Sequence, residues 1–190
     1  MILPSVIRIF FAIDLPASAK EKWGEFVTRI DQKTKKLSIR WMKAENLHIT
    51  LQFLPAVHTA HVSQIVHAVR MELSKAQSFT LRCGKLHLFP SSFHPRIIAL
   101  NIEPQDELMN MAKLIGSGII ACHYVIENRP FRAHVTLGRI KYPQKMNIDF
   151  LAEWIVSYQE TFVVREVVLF RSEPTREGSS YTAIERFALS

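Results

Sequence analysis

Residues 47–53 read Leu-His-Ile-Thr-Leu-Gln-Phe, and residues 133–139 read Ala-His-Val-Thr-Leu-Gly-Arg. Each stretch alternates apolar and polar positions, the period of a half-buried β-strand. Successive side chains of a strand point to opposite faces. On that geometry His48 and Thr50 share one face, while Leu47, Ile49, Leu51 and Phe53 turn to the other, into a core. His134 and Thr136 likewise share a face, backed by Ala133, Val135 and Leu137. A chain that carries the same His-x-Thr strand once in each half is expected to fold as two similar halves. If the two strands lie side by side or across a cleft, their imidazole–hydroxyl pairs converge.

Such a convergence suits phosphoryl chemistry. Histidine titrates near neutrality, so one imidazole can be neutral and its partner protonated at the same pH. The neutral ring takes a proton from an attacking hydroxyl or water, and the imidazolium gives one to the leaving oxygen. The threonine hydroxyls donate to non-bridging phosphate oxygens as charge gathers there. This chemistry requires neither a metal nor a covalent nucleophile.

The rest of the chain alternates strands and helices in an α+β or α/β pattern. A strand over 8–14 leads to Pro16, where a helix can begin. Ala19, Trp23, Phe26, Val27 and Ile30 then recur at helical spacing. Thr59 is placed to cap a second helix whose stripe is Val62, Ile65, Val66, Val69 and Leu73. Strands are expected over 79–88 and 97–102, with the turn between them marked by Pro90 and Pro95. A helix over 105–121 buries Leu108, Met111, Ala112, Ile115 and Ile119. A strand over 131–140 follows, then a short helix with Phe150, Leu151, Trp154 and Ile155. Two last strands, 161–171 and 181–189, flank a turn containing Gly178.

Composition bounds the function. The chain has 190 residues, a formal net charge of +7 and 48% hydrophobic residues, which suits one basic globular domain with an anionic partner. Pro4 and Arg8 interrupt the apolar N-terminus, and no run approaches the ~18 apolar residues of a membrane span. A cytoplasmic location without membrane association is expected. Cys83 and Cys122 read as buried free thiols of a reducing compartment. His58, His61 and His67 lack a metal-ligand pattern, and His87, His94 and His123 read as surface or turn residues. Phosphate loops, Gly-x-Ser-x-Gly elbows and dinucleotide fingerprints are absent from the sequence, against kinase, elbow-hydrolase and dehydrogenase readings.

Along nearly its whole length the chain resembles the two-histidine (2H) phosphoesterases, and within them the RNA 2′,3′-cyclic phosphodiesterases, historically called 2′-5′ RNA ligases. Residues 8–14, Arg-Ile-Phe-Phe-Ala-Ile-Asp, are similar to that family's first strand. Residues 40–54 and 129–139 are similar to its two signature blocks, Phe89-Pro90 and Pro95-Arg96 to its middle strands, and Tyr181 with residues 186–189 to its end. Pro55 departs from the family's usual Gly, a change expected to alter a turn. The resemblance implies an α+β fold, a single domain over 1–190 of two pseudo-symmetric lobes. Each lobe would be a small antiparallel sheet with outer helices, facing a central cleft. It implies hydrolysis of RNA 2′,3′-cyclic phosphate ends to 2′-phosphomonoesters without cofactor or metal, His48 donating a proton and His134 accepting one. Expected partners are RNA ends or oligonucleotides bearing a cyclic phosphate, with no obligate protein partner and a monomeric state.

Neighbours of the motifs extend the expected site. Arg132 shares the face of His134 by parity and is the first choice for a phosphate clamp. By the same parity Arg139 falls on the opposite face, structural or at the rim unless a bulge intervenes. Arg96 enters as a cleft residue on resemblance alone. Phe10 or Phe11 either stacks a base or packs in the core. Tyr181 either lines the cleft or caps the core. Lys33, Lys35, Lys36 and Arg40 form either a solvated face or a track for an RNA backbone. Competing readings keep the site and change the substrate, to a 2′-5′ oligonucleotide (cut or joined) or an ADP-ribose cyclic phosphate. A non-catalytic RNA-binding module is a further alternative, though binding alone does not need paired imidazoles.

Overall fold

Strand β1 (Val6–Asp14) is buried along both faces, with Ile7, Ile9, Phe11 and Ile13 against the helices and Phe10 and Ala12 on the other side. The computed structural model describes residues 4–35, 38–142, 160–176 and 178–190. After Pro16, helix α1 (Ala17–Thr34) buries the predicted stripe of Ala19, Trp23, Phe26, Val27 and Ile30. Strand β2 (Ile39–Trp41) and a 3-10 turn (Ala44–Asn46) lead into β3 (His48–His58). A second 3-10 turn (Thr59–His61) precedes α2 (Val62–Leu73). Then follow β4 (Phe79–Phe89), β5 (Ile97–Glu103), α3 (Gln105–Ala121) and β6 (His134–Ile140). The chain ends in β7 (Thr161–Val164), β8 (Glu166–Thr175) and β9 (Gly178–Ala188). The predicted short helix around 150–155 lies outside the described residues.

The two halves are joined edge to edge. Among the described residues the strands run β7-β4-β5-β6-β3-β1-β8-β9 in one sheet of antiparallel pairs, with β2 on β6. The seam is β3 against β6, where Ile49 pairs with Val135, so the two His-x-Thr strands are neighbours. Residues 161–171, expected as one strand, are split at Arg165: β7 joins β4, while β8 joins β1 and β9 near the other end of the order. A single connecting residue can span those ends only if the sheet curls round on itself. Each lobe is thus a run of strands within that one sheet, β3-β1-β8-β9 on one side of the seam and β6-β5-β4-β7 on the other, with the helices on the outside and the motif face inside the curl. No described helix is long and apolar enough to cross a membrane.

Bulges explain where the strands depart from strict alternation. Phe11 pairs with Gln52 but Ala12 with Thr50, so β3 carries an extra residue at Leu51. Ile98 pairs with Gly138 but Ala99 with Thr136, which places the same irregularity at Leu137 of β6. One extra residue reverses the facing of everything beyond it. Phe53, expected in the core, is therefore turned to the motif face and is 45% exposed, while Leu54 takes the core position at 1%. Pro55 lies in a strand rather than a turn. A third shift, between Ile7 and Ile9 on β1, gives β3 its extra residue there, as a residue lacking an N–H requires. Thr59 does not cap α2: its hydroxyl donates to the Pro4 carbonyl at 2.5 Å, and the helix starts after His61 without a side-chain cap. Gly178 opens β9 with φ +146°, a conformation that side chains rarely adopt.

Candidate active site

The seam between β3 and β6 brings both histidines and both threonines to one place. His48, Thr50, His134 and Thr136 line a single cavity of about 120 Å³, together with Phe10, Phe53, Arg139 and Tyr181. The two imidazoles are held alike. His48 Nδ1 lies 2.7 Å from the carbonyl oxygen of Asn46, and His134 Nδ1 lies 2.8 Å from that of Arg132. A carbonyl only accepts, so each Nδ1 carries a proton and donates it, which leaves each Nε2 to the cavity. In lobe one that nitrogen is 3.0 Å from the Thr50 hydroxyl.

Aromatic rings fix the ring planes. Phe10 is 3% exposed and sits 4.8 Å from the His48 ring, with Tyr181 edge-on to both. Phe10 therefore packs the His48 imidazole, and Phe11 lies on the core side against Phe187. In lobe two Phe89 stacks on His134 with centroids 5.5 Å apart and planes 17° from parallel. Sequence reading missed Phe89 as a partner of His134, because its strand reaches that ring only across β5. His87, expected at the surface or in a turn, is in β4, half-buried, in ring contact with Phe89. Burial lowers its pKa, with repulsion from His134 and Arg132 acting in the same direction.

The arginines are sorted by the bulge at Leu137. It turns Arg139 to the motif face, where the side chain lines the small cavity and the wider basin beside it. The side chains of Arg132 and Arg96 line neither. Arg132 is exposed and contributes its carbonyl to His134. Arg96 is exposed too, its main chain tying Phe89 to Ile140. The basin, about 650 Å³, is lined by Arg40, Lys43, Arg139 and Arg176 among others, and shares His48, Asn46 and Tyr181 with the small cavity.

Burial dominates the electrostatics of His48. It pushes the imidazole down to about 4; the Asn46 carbonyl and Asp14 favour the cation, and Lys20 and Arg139 oppose it. His48 is thus neutral at neutral pH, and a phosphate anion brought beside it favours its protonation. Linkage gives a stability signature. Between the ordinary histidine value of about 6.5 and about 4, the unfolded chain takes up a proton that folded His48 refuses. Stability contributed at this residue therefore falls with falling pH across that window, by about 3 kcal/mol in full. Denaturation of wild type and His48→Asn at pH 7 and pH 4.5 checks this, and the variant is expected to lose less stability on acidification. The buried Cys83 thiol is pushed up to about 11, which keeps it from acting as a nucleophile, and Cys122 is likewise buried and free.

Two imidazoles at the seam of a curled, two-lobed antiparallel sheet define the class of two-histidine phosphoesterases. The chain belongs to the LigT like phosphoesterase family: the family model matches it twice, over 13–99 and 98–181, one match for each His-x-Thr strand. A protein of Methanothermobacter thermautotrophicus named RNA 2′,3′-cyclic phosphodiesterase is 30% identical, over 96% of this chain and 99% of its own. A protein of the same name from Escherichia coli is 28% identical over 96% of each. Among solved structures, Escherichia coli LigT in complex with 3′-AMP superposes with a TM-score of 0.77 at 25% identity, over 97% of this chain and 99% of that one. TT0787 of Thermus thermophilus shares the fold with a TM-score of 0.79 at 22% identity, over 96% and 98%.

Proposed function

We propose that this protein opens 2′,3′-cyclic phosphates at RNA ends by attack of water, releasing a 2′-phosphomonoester, with no metal in the step. The observation that carries the reading is the pair of Nε2 atoms turned into one small cavity with two hydroxyls and a guanidinium. The shared name of the relatives supports the substrate, and the nucleotide complex of LigT supports a nucleotide-sized site. His134 Nε2 takes a proton from water as its oxygen attacks phosphorus. The bond from phosphorus to the 3′ oxygen breaks, and His48 Nε2 gives that oxygen a proton. Thr50, Thr136 and Arg139 donate to the non-bridging oxygens as charge builds. The Thr50 hydroxyl lies within hydrogen-bond reach of His48 Nε2, which places it beside the reacting phosphate. Phe53, exposed on the same face, offers a ring on which a base can stack. The basic basin holds the body of the RNA.

The test is a short RNA with a 2′,3′-cyclic phosphate, incubated with the protein in EDTA, followed by location of the phosphate. A 2′-phosphate is expected. A 3′-phosphate would overturn the assignment of acid and base, activity lost to EDTA would overturn the metal-free step, and absence of turnover would overturn the substrate.

A further inference from the structure

The two lobes share a brace behind each histidine, and the braces differ in charge. On β1, Asp14 is the register partner of His48, and Ala12 that of Thr50. On β5, Asn101 is the partner of His134, and Ala99 that of Thr136. A residue early in the following helix clamps each pair. In lobe one Lys20 Nζ lies 2.6 Å from Asp14 Oδ1 and donates to the Glu45 carbonyl at 3.0 Å, next to the Asn46 carbonyl that holds His48. In lobe two Gln105 Nε2 donates to Asn101 Oδ1 at 3.2 Å and to the Ala133 carbonyl at 3.0 Å, next to the Arg132 carbonyl that holds His134. Gln105 Oε1 also accepts from the Ala133 N–H at 2.9 Å. The architecture is the same, an ion pair in one lobe and an amide pair in the other.

We propose that Asp14, held in place by Lys20, is the positioning residue that biases His48, rather than its twin, toward the role of proton donor. The proposal rests on the cyclic-phosphodiester reading above. Twin strands with twin anchors give no reason for two imidazoles to take opposite roles, so the difference must come from what surrounds them. The titratable and charged groups around His48 are Asp14 from β1, Lys20 from α1, Arg40 from β2, Lys43 and Glu45 around the first 3-10 turn, His134 and Arg139 from β6, Arg176 between β8 and β9, and Tyr181 from β9. Of the charged ones, Asp14 favours the imidazolium, while Lys20 and Arg139 oppose it. Lys20 fixes where that carboxylate stands and, through Glu45, the turn that anchors the ring. In lobe two the corresponding positions carry amides, which add no charge.

The two halves of the ion pair give opposite signs, which a merely structural role cannot. Asp14→Asn removes the attraction and leaves Lys20, so the His48 midpoint, read by imidazole proton NMR in the free protein, moves down by about one pH unit. Lys20→Met removes the repulsion and leaves Asp14, so it moves up by a similar amount. The alkaline limb of the kcat profile, which requires the acid protonated, moves the same way in each variant. Shifts in the same direction, or none, in variants that still turn over would overturn the brace. If wild type opens no cyclic phosphate, the substrate reading fails, and the NMR midpoints still decide the brace by themselves.

Discussion

Replacing His48 or His134 by alanine is expected to lower kcat on a cyclic-phosphate RNA end by about 10³-fold each, near the middle of the range for loss of a positioned acid or base. Binding of the RNA changes far less, because the basin keeps Arg40, Arg139 and Arg176. The double variant is expected to be little worse than either single one, since acid and base act in one transition state and their losses do not add. Single-turnover kinetics with saturating enzyme, beside a binding isotherm for the same RNA, separate the two effects. Retention of turnover in either variant would remove the acid–base pair from the mechanism. Thr50→Val or Thr136→Val removes a neutral donor only, and ranks well below.

Arg139→Ala is the second large effect, about 10- to 100-fold in kcat/KM, the scale of a charge-assisted hydrogen bond to a phosphate oxygen. Arg132→Ala is expected to cost less than about threefold, as a screened surface charge does. Arg139→Lys keeps the charge and loses the fork, so it falls between. The comparison is a direct test of the bulge at Leu137, which carries Arg139 to the face of β6 that bears His134 and Thr136. If Arg132→Ala proves the more damaging, the phosphate is held from the other end of the strand.

Much of this protein was legible without coordinates. Helical spacing placed the buried stripes of α1 and α3, every predicted member of which is buried. Alternation placed His48 with Thr50 and His134 with Thr136 on one face each, and all four line one cavity. These features are local: the 3.6- and 2-residue periods are properties of the chain's own backbone, and the sequence displays them wherever one face is buried.

What failed to show had non-local causes. An extra residue at Leu51 or Leu137 is defined only against the partner strand, so parity counted along one strand sent Phe53 to the core and Arg139 away from the site. The split at Arg165 is a change of partners between β4 and β1, with continuous β-forming residues on both sides. The packing of Phe89 on His134 spans an intervening strand, and the Asp14–Lys20 and Asn101–Gln105 braces join strand, helix and turn. The sequence by itself determined that the chain carries two matched His-x-Thr strands, each with its imidazole and hydroxyl on one face. The tertiary structure alone decided that the sets meet at one seam, which arginine joins them and where the lobes differ in charge, because register and through-space electrostatics depend on residues far apart in the chain.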